Sequence, residues 1–137
     1  MDCKLIADLV FIEGDKVLLV KYKDENKYDQ QKGWLLPGDQ LKEFEHPEDA
    51  ALRIIQEQFN FKDAKVILDH IESFKGNDKS WHLVFHFKVM LPENSDLNIS
   101  CDIETLKWFN FNELPDKKEV AHHGWALYTI NTVIAAV

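Results

Sequence analysis

Lys21, Lys23, Lys27, Lys32 and Arg53 fall around three aromatic residues, Tyr28, Trp34 and Phe44. Cations in such a stretch can meet a diphosphate and the rings can stack on a nucleobase. Taken singly, each is more often a surface charge or a packed ring. His82 and His86, with Val84 between them, lie on one face of any strand through that segment, a spacing that can place two imidazoles in one pocket. Packing on the sheet face is the commoner use of such residues. His122 and His123 point to different sides of a helix, and no third ligand for zinc is evident. Cys3 and Cys101 are too few and too far apart for a zinc site or a disulfide scaffold, and read as reduced structural thiols.

The elements that must carry these residues are legible from pattern. Leu5 to Ile12 and Val17 to Tyr22 are β-rich runs joined by Glu13-Gly14-Asp15-Lys16, which predicts a hairpin. A polar loop over residues 23–32 follows. The apolar run Trp34-Leu35-Leu36 predicts a short strand ending at Pro37-Gly38, because proline lacks a strand donor and glycine permits turn dihedrals. His46 before Pro47-Glu48-Asp49 has the chemistry of a helix start, with proline at the first helical position and acids at the positive end of the dipole. Ala50, Ala51, Ile54 and Ile55 make one apolar stripe on that helix, and Asn60 stands where a left-handed terminating residue is wanted. A second hairpin is expected from residues 65–74 and 81–90 around the turn residues Lys75-Gly76-Asn77-Asp78. A loop over 91–100, a strand over 106–111 and a helix from about Val120 complete an α/β sandwich.

Residues 33–61, GWLLPGDQLKEFEHPEDAALRIIQEQFNF, resemble a Nudix box. The family pattern is G, five residues, E, seven residues, then R-E-aliphatic-x-E-E-x-G-aliphatic. Asp39 falls on the first Gly, Glu45 on the first Glu, Arg53 on the Arg, Ile54 on the Glu after it, Glu57 and Gln58 on the paired Glu, and Asn60 on the second Gly. Trp108-Phe109 and Glu113-Leu114-Pro115 look like the usual segment after the box. The resemblance implies one Nudix-like domain over residues 1–137. Its fold would be an α/β/α sandwich with a mixed sheet, the box helix after the third strand, and a C-terminal helix.

The resemblance also implies a reaction, metal-assisted hydrolysis of a nucleoside diphosphate linked to another group. Mg²⁺ or Mn²⁺ neutralises the diphosphate and activates water, and the family holds the ion with several box-helix glutamates. Of three such positions only Glu57 keeps a carboxylate. Gln58 offers an uncharged carbonyl and Ile54 nothing, while Ile54 fits the apolar stripe, where an unpaired carboxylate is costly to desolvate. Carried over residue by residue, Glu57 is the metal ligand and catalytic carboxylate, and the Asp39 backbone carbonyl can complete the shell. Glu104 or Glu93 can add a ligand or base. Trp34, Lys32 and Arg53 are the substrate-binding candidates, and Glu45 pairs with Arg53 to tie loop to helix. Two functions follow: a hydrolase with a weakened or lost metal site, or a non-catalytic Nudix module binding a nucleotide or a protein partner.

With 137 residues and 45% hydrophobic content the chain can bury a sizeable core. A net charge of −8 argues against long nucleic acid held on a basic surface. No apolar run approaches the roughly 20 residues of a membrane span, and the start MDCKLIADLVFIEGDKV is unlike a secretory signal, so a cytoplasmic location is expected. Trp125, Leu127, Tyr128, Ile130, Val133, Ile134 and Val137 surround much of the last helix, which is therefore deeply buried or half of a homodimer contact.

Overall fold

Two apolar faces run along the first strand, and each receives a helix. In the computed structural model, which describes residues 2–24, 32–76, 78–100 and 102–135, β1 spans Cys3–Glu13 and β2 spans Lys16–Tyr22. Ala7, Leu9 and Phe11 of β1 pack with α1 (Pro47–Phe59), whereas Val10 packs with α2 (Ala121–Ala135). This is the period-two alternation of a strand buried on both sides. The other strands are β3 (Gly38–Gln40), β4 (Lys65–Lys75), β5 (Trp81–Met90) and β6 (Ile103–Asn110). They form a six-stranded sheet in the order β4-β5-β1-β2-β6, with β3 also on β1. Among the described strands β1 and β5 pair in parallel and the other pairs are antiparallel, so the sheet is mixed.

The first hairpin forms about Gly14 at φ 58°, but β1 and β2 stay paired only at Ile12–Val17 and Glu13–Lys16. They then part, and residues 34–40 enter between them. Leu35 exchanges both backbone bonds with Val20 at 2.9 Å, and Leu9 donates to the Pro37 carbonyl at 2.8 Å. The strand expected over 34–36 is therefore reduced to single bridges from Trp34 and Leu35, and regular pairing starts after the proline. Gly38 is required there: a Cβ would lie 2.5 Å from the Ala7 carbonyl oxygen.

The box helix starts and stops as its local chemistry dictates. His46 Nδ1 accepts from the Glu48 N–H at 3.2 Å, with Pro47 at the first position. Asn60 adopts φ 54°, ψ 41°, and its side chain donates to the Asn98 carbonyl at 2.6 Å. Phe11 and Phe59 meet edge to face under the helix, with ring centroids 5.1 Å apart.

Some details differ from the sequence expectations. Strand β6 begins at Ile103 rather than 106, because it pairs with β2 as far as Tyr22. Cys3 is a free, exposed thiol on β1, and Cys101, Lys27, Tyr28 and Val137 lie outside the described residues. On α2, Ala126, Ile130 and Val133 are buried against the sheet, while Tyr128 is 66% exposed. Among the described residues no helix is long and apolar enough to cross a membrane.

Candidate functional site

Arg53 is the hub of the box. Its Nε donates to Glu45 Oε2 at 2.8 Å, and Nη2 donates to Glu45 Oε1 and to the Gln40 carbonyl, each at 3.0 Å. Nη1 faces both oxygens of Glu57 at 3.1 and 3.2 Å. Every nitrogen of this guanidinium is thus engaged within the protein, and the side chain ties loop to helix. Glu45 also accepts from the Lys42 N–H at 3.0 Å. The bond from Arg53 is the main reason the Glu45 carboxyl is held below the ordinary carboxylate range, and the same bond raises Arg53.

The remaining positions of the box face do other work. Ile54 is fully buried among Ala50, Ala51, Ile55 and Phe59. Gln58, 4% exposed, donates from Nε2 to the Gly38 carbonyl at 3.0 Å and accepts at Oε1 from the Tyr22 hydroxyl at 2.8 Å. Tyr22 in turn accepts from the Gly38 N–H at 3.1 Å. The amide therefore locks helix, β2 and β3 together, and a carboxylate in its place could not donate to Gly38. Glu57 is half exposed, with Lys42 Nζ at 4.0 Å in addition to Arg53.

The other candidates are dispersed. Asp39 sits opposite Ala7 in the β1–β3 ladder and accepts at Oδ1 from the Gln40 N–H. Glu104 is exposed on β6 and Glu93 exposed in the loop after β5. Among the described residues the side-chain carboxylates of Glu57, Glu104 and Asp39 do not form a three-ligand group. Trp34 stands edge-on to Phe109 at 5.1 Å with Lys21 Nζ 4.7 Å from its ring centre, so a cation already covers that face. Lys32 is exposed. Phe44 is 98% exposed at φ 62°, immediately before Glu45.

Of the three box-helix positions, 57 carries a half-exposed carboxylate tied to an arginine, 54 is apolar and buried, and 58 is an amide that donates to the Gly38 carbonyl.

A second polar cluster lies on the α2 side of the sheet. His86, fully buried, has Nε2 3.2 Å from Glu72 Oε1 and Nδ1 3.9 Å from Asp8 Oδ2. Its ring stacks on His70 at 4.4 Å. Burial, with the His70 ring nearby, pushes His86 down to about 3; burial, with Glu72 nearby, pushes the Asp8 carboxyl up to about 7. The expected His82–His86 face exists, with His82 packed on Phe74 at 5.0 Å. His70 and Glu72 escape the sequence reading. The turn supplies the missing signal, since pairing Lys75 with Trp81 puts His70 opposite His86.

A mixed sheet between two helices, with a loop and helix joined through Glu45 and Arg53, is the Nudix architecture. The family model described as NUDIX domain matches residues 4–128, and the chain belongs to that family. A NUDIX hydrolase from Nitrosomonas europaea superposes with a TM-score of 0.78 at 18% identity, covering 98% of this chain and 90% of that one. An Ap4A hydrolase from C. elegans gives 0.71 at 17% identity, with 98% and 99% covered. An ADP-ribose pyrophosphatase from Streptococcus suis gives 0.65 at 15% identity, with 97% and 90% covered.

Proposed function

We propose that this Nudix protein binds a small nucleoside diphosphate derivative without turning it over through a box-helix magnesium ion. The observation that carries the reading is the Gln58 amide, which donates to the Gly38 carbonyl while accepting from Tyr22. Both ends of the Gln58 amide are spent on protein partners, it brings no charge to an ion, and burial holds it in place. The buried Ile54 supports it independently. The exposed Lys32 and Phe44 offer charge and ring surface for phosphate and base.

The competing reading is a slow metal-dependent hydrolase, favoured by the half-exposed Glu57 carboxylate. Thermal unfolding with ADP-ribose or diadenosine tetraphosphate, run in Mg²⁺ and again in EDTA, separates the two. A binding module shows the same rise in Tm in both buffers. A rise confined to Mg²⁺, with phosphate release abolished by Glu57→Gln, would establish the hydrolase. No rise with either nucleotide would discard nucleotide binding and leave a protein partner.

A further inference from the structure

We propose that His70, Glu72 and His86 form a site for one divalent transition ion of the zinc type, on the sheet face opposite the box helix. Three ligand atoms, two imidazole nitrogens and a carboxylate oxygen, lie within 4.8 Å of one another, the one such grouping among the described residues. Glu72 Oε1 is 3.0 Å from His70 Nε2 and 3.2 Å from His86 Nε2. Ligands about 2.0–2.1 Å from a tetrahedral zinc stand about 3.3 Å apart, so both spacings are close to what the ion needs.

Proton bookkeeping leaves a place for the ion. His70 Nδ1 contacts the Asp69 carboxylate, which assigns the proton to Nδ1 and turns the Nε2 lone pair toward Glu72. Two acceptors then face each other with nothing positive between them. A second proton on His70 would satisfy that ring, yet His86 would remain with neither nitrogen in a hydrogen bond although fully buried. An ion shared by both Nε2 atoms and Glu72 satisfies those three ligand atoms at once, with Asp8 Oδ2 3.9 Å from the remaining His86 Nδ1.

The surroundings suit such an ion. Asp69 at His70 Nδ1 and Asp8 near His86 Nδ1 are the outer carboxylates that orient metal-bound imidazoles. The two rings lie 21° from parallel, so binding requires one ring to turn until its lone pair converges with the other. His70 and Glu72 sit on the edge strand with side chains 22% and 20% exposed, which provides entry and leaves a fourth position for water or an anionic ligand. Two nitrogens and one carboxylate select zinc-like ions over magnesium, which prefers all-oxygen shells.

The test uses the full chain stripped with EDTA, then titrated with Zn²⁺ and, separately, with Co²⁺ as a spectroscopic reporter. We expect one equivalent at micromolar Kd or tighter, strong visible Co²⁺ bands of four-coordinate geometry, and no displacement by excess Mg²⁺. His70→Gln and Glu72→Gln, on the half-exposed edge strand and checked for folding by thermal melts, should each weaken Zn²⁺ at least ten-fold. Asp69→Asn should weaken it less. Absence of a stoichiometric site in the parent, affinity unchanged in both ligand variants, or affinity lost in Glu57→Gln instead would overturn the assignment.

Discussion

Replacing Gln58 by glutamate changes one NH₂ group to oxygen and should expose what the amide does. The parent Nε2 donates to the Gly38 carbonyl at 3.0 Å in a site only 4% exposed. An ionised carboxylate at this position would set two acceptors face to face in a desolvated pocket, although the Tyr22 hydroxyl can still donate to the other oxygen. Both effects of that pocket raise the folded pKa above the unfolded value of about 4.3. Below about pH 4.3 the new carboxyl is protonated in both states and its O–H can donate to Gly38, so the variant is close to the parent. Stability falls as pH rises from there to the folded pKa. A rise of about 1.5–3 pH units, within the range burial produces, costs about 2–4 kcal/mol at about 1.4 kcal/mol per unit. For a domain of this size that lowers Tm by about 6–16 °C at pH 7.5.

Magnesium sharpens this test. Neighbouring ligands of an octahedral Mg²⁺ lie about 2.9 Å apart, close to the existing separation of side chain and carbonyl. Added Mg²⁺ should therefore restore part of the lost Tm in the variant and leave the parent unmoved. Thermal melts from pH 4 to 8 with and without Mg²⁺ measure both effects. A variant as stable as the parent at pH 7.5, with the same pH slope, would refute the role assigned to the amide.

Adding Ile54→Glu should cost about a further 3–5 kcal/mol without metal, since a charge enters a fully buried stripe. Mg²⁺ should raise the double variant's Tm more than that of the single one. Glu45→Gln should lose about 1.5–3 kcal/mol at pH 7 by urea unfolding, because charged bonds to Arg53 weaken. Glu45 is depressed in the fold, so its contribution is present above the unfolded pKa and disappears as pH falls through the folded one. The variant should accordingly show a flatter acid limb. Asn60→Ala should cost about 2–3 kcal/mol by the same measurement, from the left-handed backbone and the bond to Asn98. Asn60→Gly should cost about 1 kcal/mol, the bond alone.

The box helix is legible in the sequence because its ends depend on neighbours along the chain. His46-Pro47 and Asn60 carry their own backbone preferences, and the apolar stripe is a local period. Residues 34–40 are not legible in the same way, since their pairing depends on β1 and β2 parting after two residue pairs. Glu57 and Arg53, four residues apart on one helix, are foreseeable neighbours; Gln58 with Tyr22, 36 positions distant, are not. Arg53 as a substrate donor follows from charge alone, whereas the geometry commits its nitrogens to Glu45, Glu57 and Gln40. His70 and Glu72 meet His86 only across a hairpin, so their partnership emerges only when the register is counted outward from the turn.

If the box helix of this Nudix protein is a structural element and not a magnesium-dependent catalytic one, removing its remaining carboxylate should leave turnover unchanged. Phosphate and nucleotide release from ADP-ribose and diadenosine tetraphosphate, followed in saturating Mg²⁺ and Mn²⁺ for the parent and for Glu57→Gln, tests this most directly. The same background rate is expected for both proteins with either metal. Sustained metal-dependent turnover by the parent that disappears in Glu57→Gln would contradict it.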